Sequence, residues 1–293
     1  MSSGAHARVA EWGPADECGA RNLIDQAATM RGISAVRSGK VIGLGIPIEG
    51  GTRGPAAPNR APVQHFMVRD GGDYAAGQPE RHGFGFSDDV IFLPTHGTTH
   101  IDALSHVWQK GRMYNNFSAT DVTSRGALHC GIDKLQPIVT RAILVDMAAT
   151  SAGEPGHAIR CEELIAAVAR TGVHPEPGDA LLVRTGWLQA WRAGAAQPLL
   201  SAGLHHDCAD WIVEQGFAVV AADNPAVEVL PSRDPDSAAP LHIRLLRDNG
   251  IYLAELLDLD GVASFGQPTF MLTIAPLRIK GGVGSPITPV AVL

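Results

Sequence analysis

The amino-acid sequence predicts a mixed α/β fold built around apolar central strands. Short runs rich in β-branched and other apolar residues recur at 142–146, 180–184, 217–222, 251–256 and 270–277, and such runs are typical of buried strands. Helical spacing of apolar residues at 161–170 and 208–214 separates some of these runs. Strands that alternate with helices indicate an α/β domain with a central sheet.

The first third of the chain predicts shorter elements. We interpret residues 1–40 as an N-terminal arm with short helices, one of them at 25–37, and residues 41–293 as a single domain, because no shift in composition divides them. A strand is expected at 41–48 and another at 89–93, separated by a Gly- and Pro-rich loop at 49–63, a short run at 65–68 and a second loop at 70–86. A short helix is expected at 242–248.

Composition limits the classes of function. The chain has 293 residues and a net charge of −7, which disfavours nucleic acid and anionic membrane surfaces as partners. The N-terminus does not resemble a signal peptide, and no run of about 18 apolar residues predicts a membrane span. The four cysteines form no C-x-x-C pair and fit a reducing compartment. We therefore expect a cytoplasmic protein that acts on a small molecule.

The segment 94–106 carries the clearest chemistry, and we call it the metal loop. It holds His96, His100, Asp102 and His106 within eleven residues. Gly97 and two threonines disfavour a helix, and in an extended chain side chains two residues apart share a face. His100 and Asp102 would then lie side by side, with His96 and His106 joining them if the chain bends. Imidazoles together with a carboxylate suit Zn²⁺ or Mn²⁺.

The metal loop resembles the signature H-x-G-T-H-x-D-x-P-x-H of the cyclase family of metal-dependent hydrolases, which includes bacterial kynurenine formamidases and isatin hydrolases. The four ligand-type residues have the family's spacing, whereas Gly97 precedes two threonines and Leu104 replaces the usual proline. The resemblance implies a swivelling β/β/α fold, a homo-oligomer, metal ligation by His96, His100 and Asp102, and a role for His106 as general acid or base.

A second group of residues follows the apolar run at 217–222. The segment 223–228 (DNPAVE) comes first, then His242 and Glu255. In formamidase-like members a later His and Glu complete a second metal site that the Asp bridges, so the resemblance implies His242 and Glu255 as further ligands. The alternative is that Glu255 faces solvent. One or two metal ions therefore remain open.

Other candidates are less specific. Trp108, Met113 and Tyr114 follow the metal loop and form either an apolar wall for a ring substrate or ordinary core. Trp187 and Arg184, in an R-T-G-W segment, lie near the pocket or serve the structure, and His65 is a candidate pocket residue. The pair at 205–206 is interpreted as a solvated helix start, and the pair at 88–89 as a turn.

These observations predict a metal-dependent hydrolase that cleaves an amide-type or ester bond, most simply by opening a cyclic amide, imide or lactone. Two alternatives remain. One is an arylformamidase that hydrolyses N-formylkynurenine, and the other is a metal-binding protein without catalytic activity. The intact His106 disfavours the second alternative, because metal storage needs no group that transfers protons.

Overall fold

The computed structural model describes residues 12–51, 54–55 and 60–293. Parts of the predicted arm (1–11) and of the predicted loop (52–53 and 56–59) lie outside the described residues. The α-helices, in chain order, are α1 Gln26–Ser34, α2 Gly71–Ala75, α3 Cys161–Arg170, α4 Trp187–Arg192, α5 Cys208–Gln215, α6 Pro240–His242 and α7 Asp260–Phe265. A π-helical turn, Ile243–Arg247, continues α6. Short 3₁₀ turns occupy Gly19–Leu23, Tyr114–Asn116, Ala119–Asp121, Ile132–Lys134 and Ser151–Gly153.

Fifteen strands are found in the described residues. They are β1 Val41–Gly43, β2 Gln64–Arg69, β3 Asp88–Phe92, β4 His100–Asp102, β5 Val122–Thr123, β6 Gly126–Ala127, β7 Ile138–Asp146, β8 Ala158–Ile159, β9 Ala180–Arg184, β10 Gly203–Leu204, β11 Val219–Ala222, β12 Tyr252–Glu255, β13 Thr269–Ile274, β14 Gly284–Pro286 and β15 Val290–Val292. Nine of them form one sheet in the order β1-β15-β13-β7-β9-β11-β12-β4-β14.

The sheet is mixed, which confirms the predicted fold class. Strands β7, β9, β11 and β12 are parallel, and the strands on both sides of them pair antiparallel. The parallel strands are almost entirely buried because helices and loops cover both of their faces. Helix α3 packs its apolar face, Leu164, Ala167 and Val168, into this core.

Helix α1 packs against β7 and β13 rather than standing apart from the sheet. Asp25 caps it by accepting a hydrogen bond from the Ala28 N–H at 2.8 Å. Gly32 allows the close approach, because a Cβ there would lie 2.6 Å from the backbone carbon of Thr140. The boundary between arm and domain at residue 40 stays a prediction.

Several predicted elements are corrected. The strand expected at 41–48 ends at Gly43: the Leu44 N–H still bonds the Pro289 carbonyl, but Pro289 has no N–H to donate in return, and the Leu44 carbonyl accepts from the Asp258 N–H. The loop expected at 70–86 contains α2, whose start is a capping box between Asp70 and Asp73. The two C-terminal strands β14 and β15 were not predicted.

Asp223 ties two parallel strands together directly after β11. Its buried carboxylate accepts hydrogen bonds from the N–H and the hydroxyl of Thr185, both at 2.7 Å, and from the N–H of Gly186 at 2.8 Å. Thr185 and Gly186 follow β9, so this contact fixes the loop beside β11.

None of the helices in the described part of the chain is both long enough and apolar enough to cross a membrane.

Candidate metal centre

Strand β4 presents His100 and Asp102 on one face, as the period-two alternation predicts. Ile101, between them, points to the opposite face and is fully buried in the hydrophobic core. The Nε2 atom of His100 lies 3.6 Å from Oδ1 of Asp102. Both side chains are 1% exposed, so these two polar groups are removed from water together and need a partner.

Glu255 reaches the same place through the register of the sheet. It pairs directly with His100 across the antiparallel strands β12 and β4, and side chains of such a pair lie on one face as neighbours. The two side chains approach to 3.2 Å between Oε2 and Nε2. Glu255 is buried, so the alternative that it faces solvent is wrong.

His242 completes the buried group from the end of α6. Its Nε2 atom lies 3.2 Å from Oε1 of Glu255 and 3.7 Å from Oδ2 of Asp102. The structure therefore brings together the five residues that the resemblance implies as ligands. A π-helical turn begins at the next residue, and such turns are frequent at functional sites.

His96 and His106 stack against each other at the more open side of the cluster. Their ring centroids are 4.1 Å apart, with 24° between the ring planes. His96 is buried and its Nε2 atom lies 3.2 Å from Oδ1 of Asp102, whereas the His106 side chain is 25% exposed and its Nε2 atom lies 4.0 Å from that oxygen. His106 is therefore the imidazole of this cluster that solvent reaches most easily.

Unpartnered polar atoms test whether a cation fits here. Within the described residues, Nε2 of His96, Nε2 of His100 and both carboxylate oxygens of Asp102 are buried without a hydrogen-bond partner. Orphaned buried groups are costly, and ligation of a cation would give such atoms a partner. Their donor types, imidazole nitrogen and carboxylate oxygen, suit Zn²⁺ or Mn²⁺, so the residues fit a metal.

The donors form two overlapping sets. One comprises His96, Asp102 and His106, and the other comprises Asp102, His242 and Glu255; in each set the donor atoms lie within 4.8 Å of one another. Asp102 belongs to both. These residues could therefore hold one ion or two.

Second contacts orient two of the imidazoles. The Nδ1 atom of His100 lies 2.7 Å from the Thr98 carbonyl, which accepts its proton. The Nδ1 atom of His96 lies 3.1 Å from the Thr95 hydroxyl. Both contacts leave Nε2 facing Asp102, the orientation that a metal ligand needs.

The charges of the buried group shift several pKa values. Burial alone would raise the pKa of Asp102 and of Glu255, but the adjacent histidines outweigh it and both pKa values are lowered. Burial would lower the pKa of His100, yet its contacts with Glu255 and Asp102 raise the pKa overall. For His106, burial outweighs the attraction of Asp102 and lowers the pKa to about 4. His106 is thus neutral at pH 7 and able to accept a proton.

The residues after the metal loop divide between surface and core. Trp108 is half-exposed two residues after His106. Met113 and Tyr114 are fully buried, and the Tyr114 hydroxyl donates a hydrogen bond to Asp16 at 2.7 Å. This placement favours the core role over the pocket role for Met113 and Tyr114, because neither exposes surface to a ligand.

A cavity of about 610 Å³ opens beside the metal loop. Its lining comprises Ile46, Pro47, Glu49, Gly54, Pro55, Leu188, Trp191 and Arg192. A Cβ built on Gly54 would lie 3.1 Å from the Gly97 carbonyl, so this wall adjoins the metal loop. On another side, Leu256, directly after Glu255, belongs to the same hydrophobic cluster as Leu188.

Trp187 supports this cavity from behind. It is buried, and its indole N–H donates to the carbonyls of Gln197 and Leu200. Its ring stacks on Trp191 at 5.4 Å between centroids, and Trp191 is the tryptophan that lines the cavity. Arg184 instead pairs with Asp146 and Asp260, which favours its structural role.

The structure also places His65, His205 and the pair at 88–89, for which the predictions from sequence were less specific. His65 lies on the exposed strand β2 and contacts Asp89 at 2.7 Å, outside the buried cluster. The prediction that His205 is solvated is wrong, because the residue is buried beside Arg160 and Asp207. The pair at 88–89 belongs to β3 rather than to a turn, because it pairs with β2.

Three residues that shape the site were not predicted from the sequence. Gly284 lies opposite Asp102 on β14, where a Cβ would overlap the His96 ring. The hydroxyl of Thr99 donates to the Leu256 carbonyl at 2.6 Å and accepts from the Ile46 N–H at 2.9 Å, which fastens the metal loop. Glu228 was noticed only as part of segment 223–228, although a carboxylate beside apolar residues was the available signal.

Known proteins resemble the chain in sequence. The model of the cyclase family, described as "Putative cyclase", matches residues 42–229, a span that contains the metal loop. The isatin hydrolase of Roseibium aggregatum is 26% identical over 216 residues, which cover 71% of this chain and 75% of that protein.

Solved structures resemble it in fold. The crystal structure of a novel cyclase is 34% identical and covers 98% of this chain and 99% of its own, with a TM-score of 0.88. An isatin hydrolase bound to the product analogue thioisatinate is 21% identical, with a TM-score of 0.66 and coverage of 87% and 92%. That identity shows a shared fold alone. Since the family model matches more than half of its residues, the chain belongs to the cyclase family.

Proposed function

We propose that the protein is a metal-dependent hydrolase that opens a cyclic amide, imide or lactone. The observation that carries this proposal is the set of orphaned buried atoms on His96, His100 and Asp102, which a cation would satisfy. The similarity to an isatin hydrolase supports the reaction class, because isatin, the substrate that this name states, contains a cyclic amide.

In this proposal His96, His100, Asp102, His242 and Glu255 hold the metal. The bound metal would supply Lewis-acid polarisation of the scissile carbonyl and would activate water. His106 takes a proton from water and returns it to the leaving nitrogen or oxygen. Its partial exposure, against the burial of the five ligands, supports this division of labour.

Zn²⁺ and Mn²⁺ are both proposed, since imidazole and carboxylate donors suit either ion. The number of ions stays one or two: the two donor sets share Asp102, but a second ion would take His106 as a ligand. Elemental analysis of the purified protein measures both properties at once. With His106 free to transfer protons, a ratio near one ion per chain is expected, and a ratio near two would make His106 a ligand instead.

The apolar cavity is the proposed place for the ring of the substrate. Ile46, Leu188 and Trp191 offer it apolar surface next to the metal loop. A Trp191→Ala variant is expected to raise KM for an aromatic substrate more than it lowers kcat, because the indole would contact the ring in the ground state and in the transition state alike. Trp108 is a second proposed contact, and Trp187 is proposed to act through Trp191.

A substrate panel tests the activity. Cyclic imides, lactones, isatin and N-formylkynurenine are supplied to the protein loaded with Zn²⁺ or with Mn²⁺. Turnover of a cyclic substrate is expected. Turnover of N-formylkynurenine alone would identify an arylformamidase instead, and tight metal binding with no turnover of any of them would favour a non-catalytic metal-binding protein.

We also propose a homo-oligomer. The hairpin β2–β3 exposes large apolar side chains along both strands, among them Phe66, Met67, Val90 and Phe92. An isolated two-stranded hairpin is marginally stable in water, so contact with a second copy of the chain would stabilise it. Light scattering is expected to give a mass of at least two chains, and a Phe66→Ser, Phe92→Ser double variant is expected to dissociate.

The expected location is cytoplasmic. All four cysteines carry free thiols, which supports the reducing compartment inferred from the sequence.

A further inference from the structure

The loop after β11 holds a strained backbone next to the metal centre. Val227 has φ of +57°, which is costly for a β-branched residue. The Asn224 side chain holds it there: its Oδ1 accepts from the Val227 N–H at 2.7 Å, and its Nδ2 donates to the Ala202 carbonyl at 2.7 Å. Asn224 and Val227 are fully buried. The strain is therefore maintained by packing, and it directs the next side chain, Glu228, inward.

Glu228 is buried, and its carboxylate binds the start of α6. Its oxygens accept hydrogen bonds from the N–H of Leu241 at 3.2 Å and from the N–H of His242 at 3.1 Å. Oε1 also lies 2.5 Å from Nδ1 of His242. A buried carboxylate needs such donors to offset its lost hydration, and two of the three belong to His242.

This contact decides which nitrogen of His242 carries a proton. Both oxygens of Glu228 already accept backbone N–H groups, so they act as acceptors and Nδ1 is the nitrogen that donates. The lone pair of Nε2 is then free on the side of Asp102 and Glu255. His100 is oriented in the same way by the neutral Thr98 carbonyl, but a charged acceptor also makes the imidazole a more basic ligand.

We propose that Glu228 is a positioning residue that fixes the tautomer and the ring orientation of His242 and so strengthens metal binding. The inference rests on the proposed function, in which His242 is a metal ligand. Glu228 acts through His242 and contacts neither substrate nor metal. Its three hydrogen bonds, together with the strained turn that aims it, assign it this role.

Glu228→Gln tests the proposal with little change in volume. The amide keeps one oxygen that can accept a hydrogen bond. Its NH₂ group is a donor, and it then faces another donor, either the Leu241 N–H or the protonated Nδ1 of His242. We expect affinity for Zn²⁺, measured by competition with a chromophoric chelator, to fall about 10- to 100-fold. Glu228→Asp keeps the charge and is expected to recover part of the loss.

Glu163→Gln is the matched control. Glu163 also contacts a histidine, His157 at 3.0 Å, and also accepts a backbone hydrogen bond, from Arg160 at 2.8 Å, but it lies outside the metal centre. Its variant is expected to bind Zn²⁺ like the wild-type protein. Nitrogen-15 NMR of the zinc-loaded protein supplies a second readout: the signal of a protonated Nδ1 on His242 is expected in wild type and is expected to shift or vanish in Glu228→Gln.

His242→Ala separates failure of this inference from failure of the proposed function. If this variant binds Zn²⁺ as tightly as wild type, His242 is not a ligand and both proposals lose their basis. If it loses affinity while Glu228→Gln and Glu228→Asp keep wild-type affinity and the Nδ1 signal, the role of Glu228 is overturned and the function stands. If Glu228 has only a structural role, Glu228→Gln lowers the unfolding free energy of the metal-free protein, but the folded fraction keeps its Zn²⁺ affinity and its Nδ1 signal. That result also overturns the inference.

Discussion

Replacing Gly284 by alanine tests whether the metal centre depends on an empty space in the neighbouring strand. A Cβ on Gly284 would lie 2.8 Å from Cε1 and 3.1 Å from Cδ2 of His96. Carbon atoms pack at about 3.5–4.0 Å, so the ring must move by about 0.7 Å or more. The ring has little freedom to do so, because it stacks on His106 and is buried. We therefore expect the Nε2 atom of His96 to leave its position beside Asp102.

The expected loss is a fall in Zn²⁺ affinity of about 10- to 100-fold, comparable with other displacements of a metal ligand. Overpacking should also lower the unfolding free energy of the metal-free protein by about 1–3 kcal/mol. Chelator competition and urea unfolding in the presence of EDTA measure the two effects separately. Gly43→Ala is the control, since a Cβ there meets nothing within 4 Å. Wild-type affinity in Gly284→Ala would refute the assignment of His96 as a ligand held by this contact.

Asp102, Thr99 and Asp223 each give a further test. Asp102→Ala is expected to lose metal, because Asp102 belongs to both donor sets, whereas His106→Ala is expected to keep metal and lose most turnover; elemental analysis showing full metal content in Asp102→Ala would contradict the assignment. Thr99→Val is expected to lower the unfolding free energy by about 1–3 kcal/mol, because it leaves one buried carbonyl and one part-buried N–H unpaired; urea unfolding checks this. Burial raises the pKa of Asp223 to about 6, against the hydrogen bonds that it accepts. A carboxyl whose pKa is higher in the folded state stabilises the fold most below its unfolded pKa and loses that contribution as the pH rises through the folded value. Wild-type stability should therefore fall by about 2–3 kcal/mol relative to Asp223→Asn between pH 4 and 7, and a constant difference between the two unfolding curves would contradict the shift.

The local part of the metal centre was predictable from sequence. His96, His100, Asp102 and His106 lie within eleven residues, and alternation in an extended chain is enough to place two of them on one face. Helix α3 and strand β9 were likewise predicted at their observed bounds, because the apolar pattern and the flanking glycines mark their ends. These features need only information from neighbouring residues.

The remaining part depends on strand pairing that no local pattern contains. Glu255 enters the site because β12 pairs with β4 in one register, and Gly284 matters because β14 pairs with β4 on the other side. The family resemblance supplied Glu255 and His242, but it supplied neither Gly284 nor Glu228. The roles of those two residues become visible only when the contacts of the His96 and His242 rings are known.

The hydrophobic core itself fixes the register that aligns the metal ligands. Ile101 is fully buried on the core face of β4, while His100 and Asp102 occupy the opposite face. A slip of one residue would exchange the two faces: it would move Ile101 out of the apolar core into the polar centre and would place the imidazole and the carboxylate among apolar side chains, which costs free energy. Strand β12 is parallel to β11 on one side and antiparallel to β4 on the other. The last residue of β12, Glu255, therefore pairs with the first residue of β4, His100. Burial of one isoleucine at this change of direction therefore holds three potential ligands in place before any metal binds.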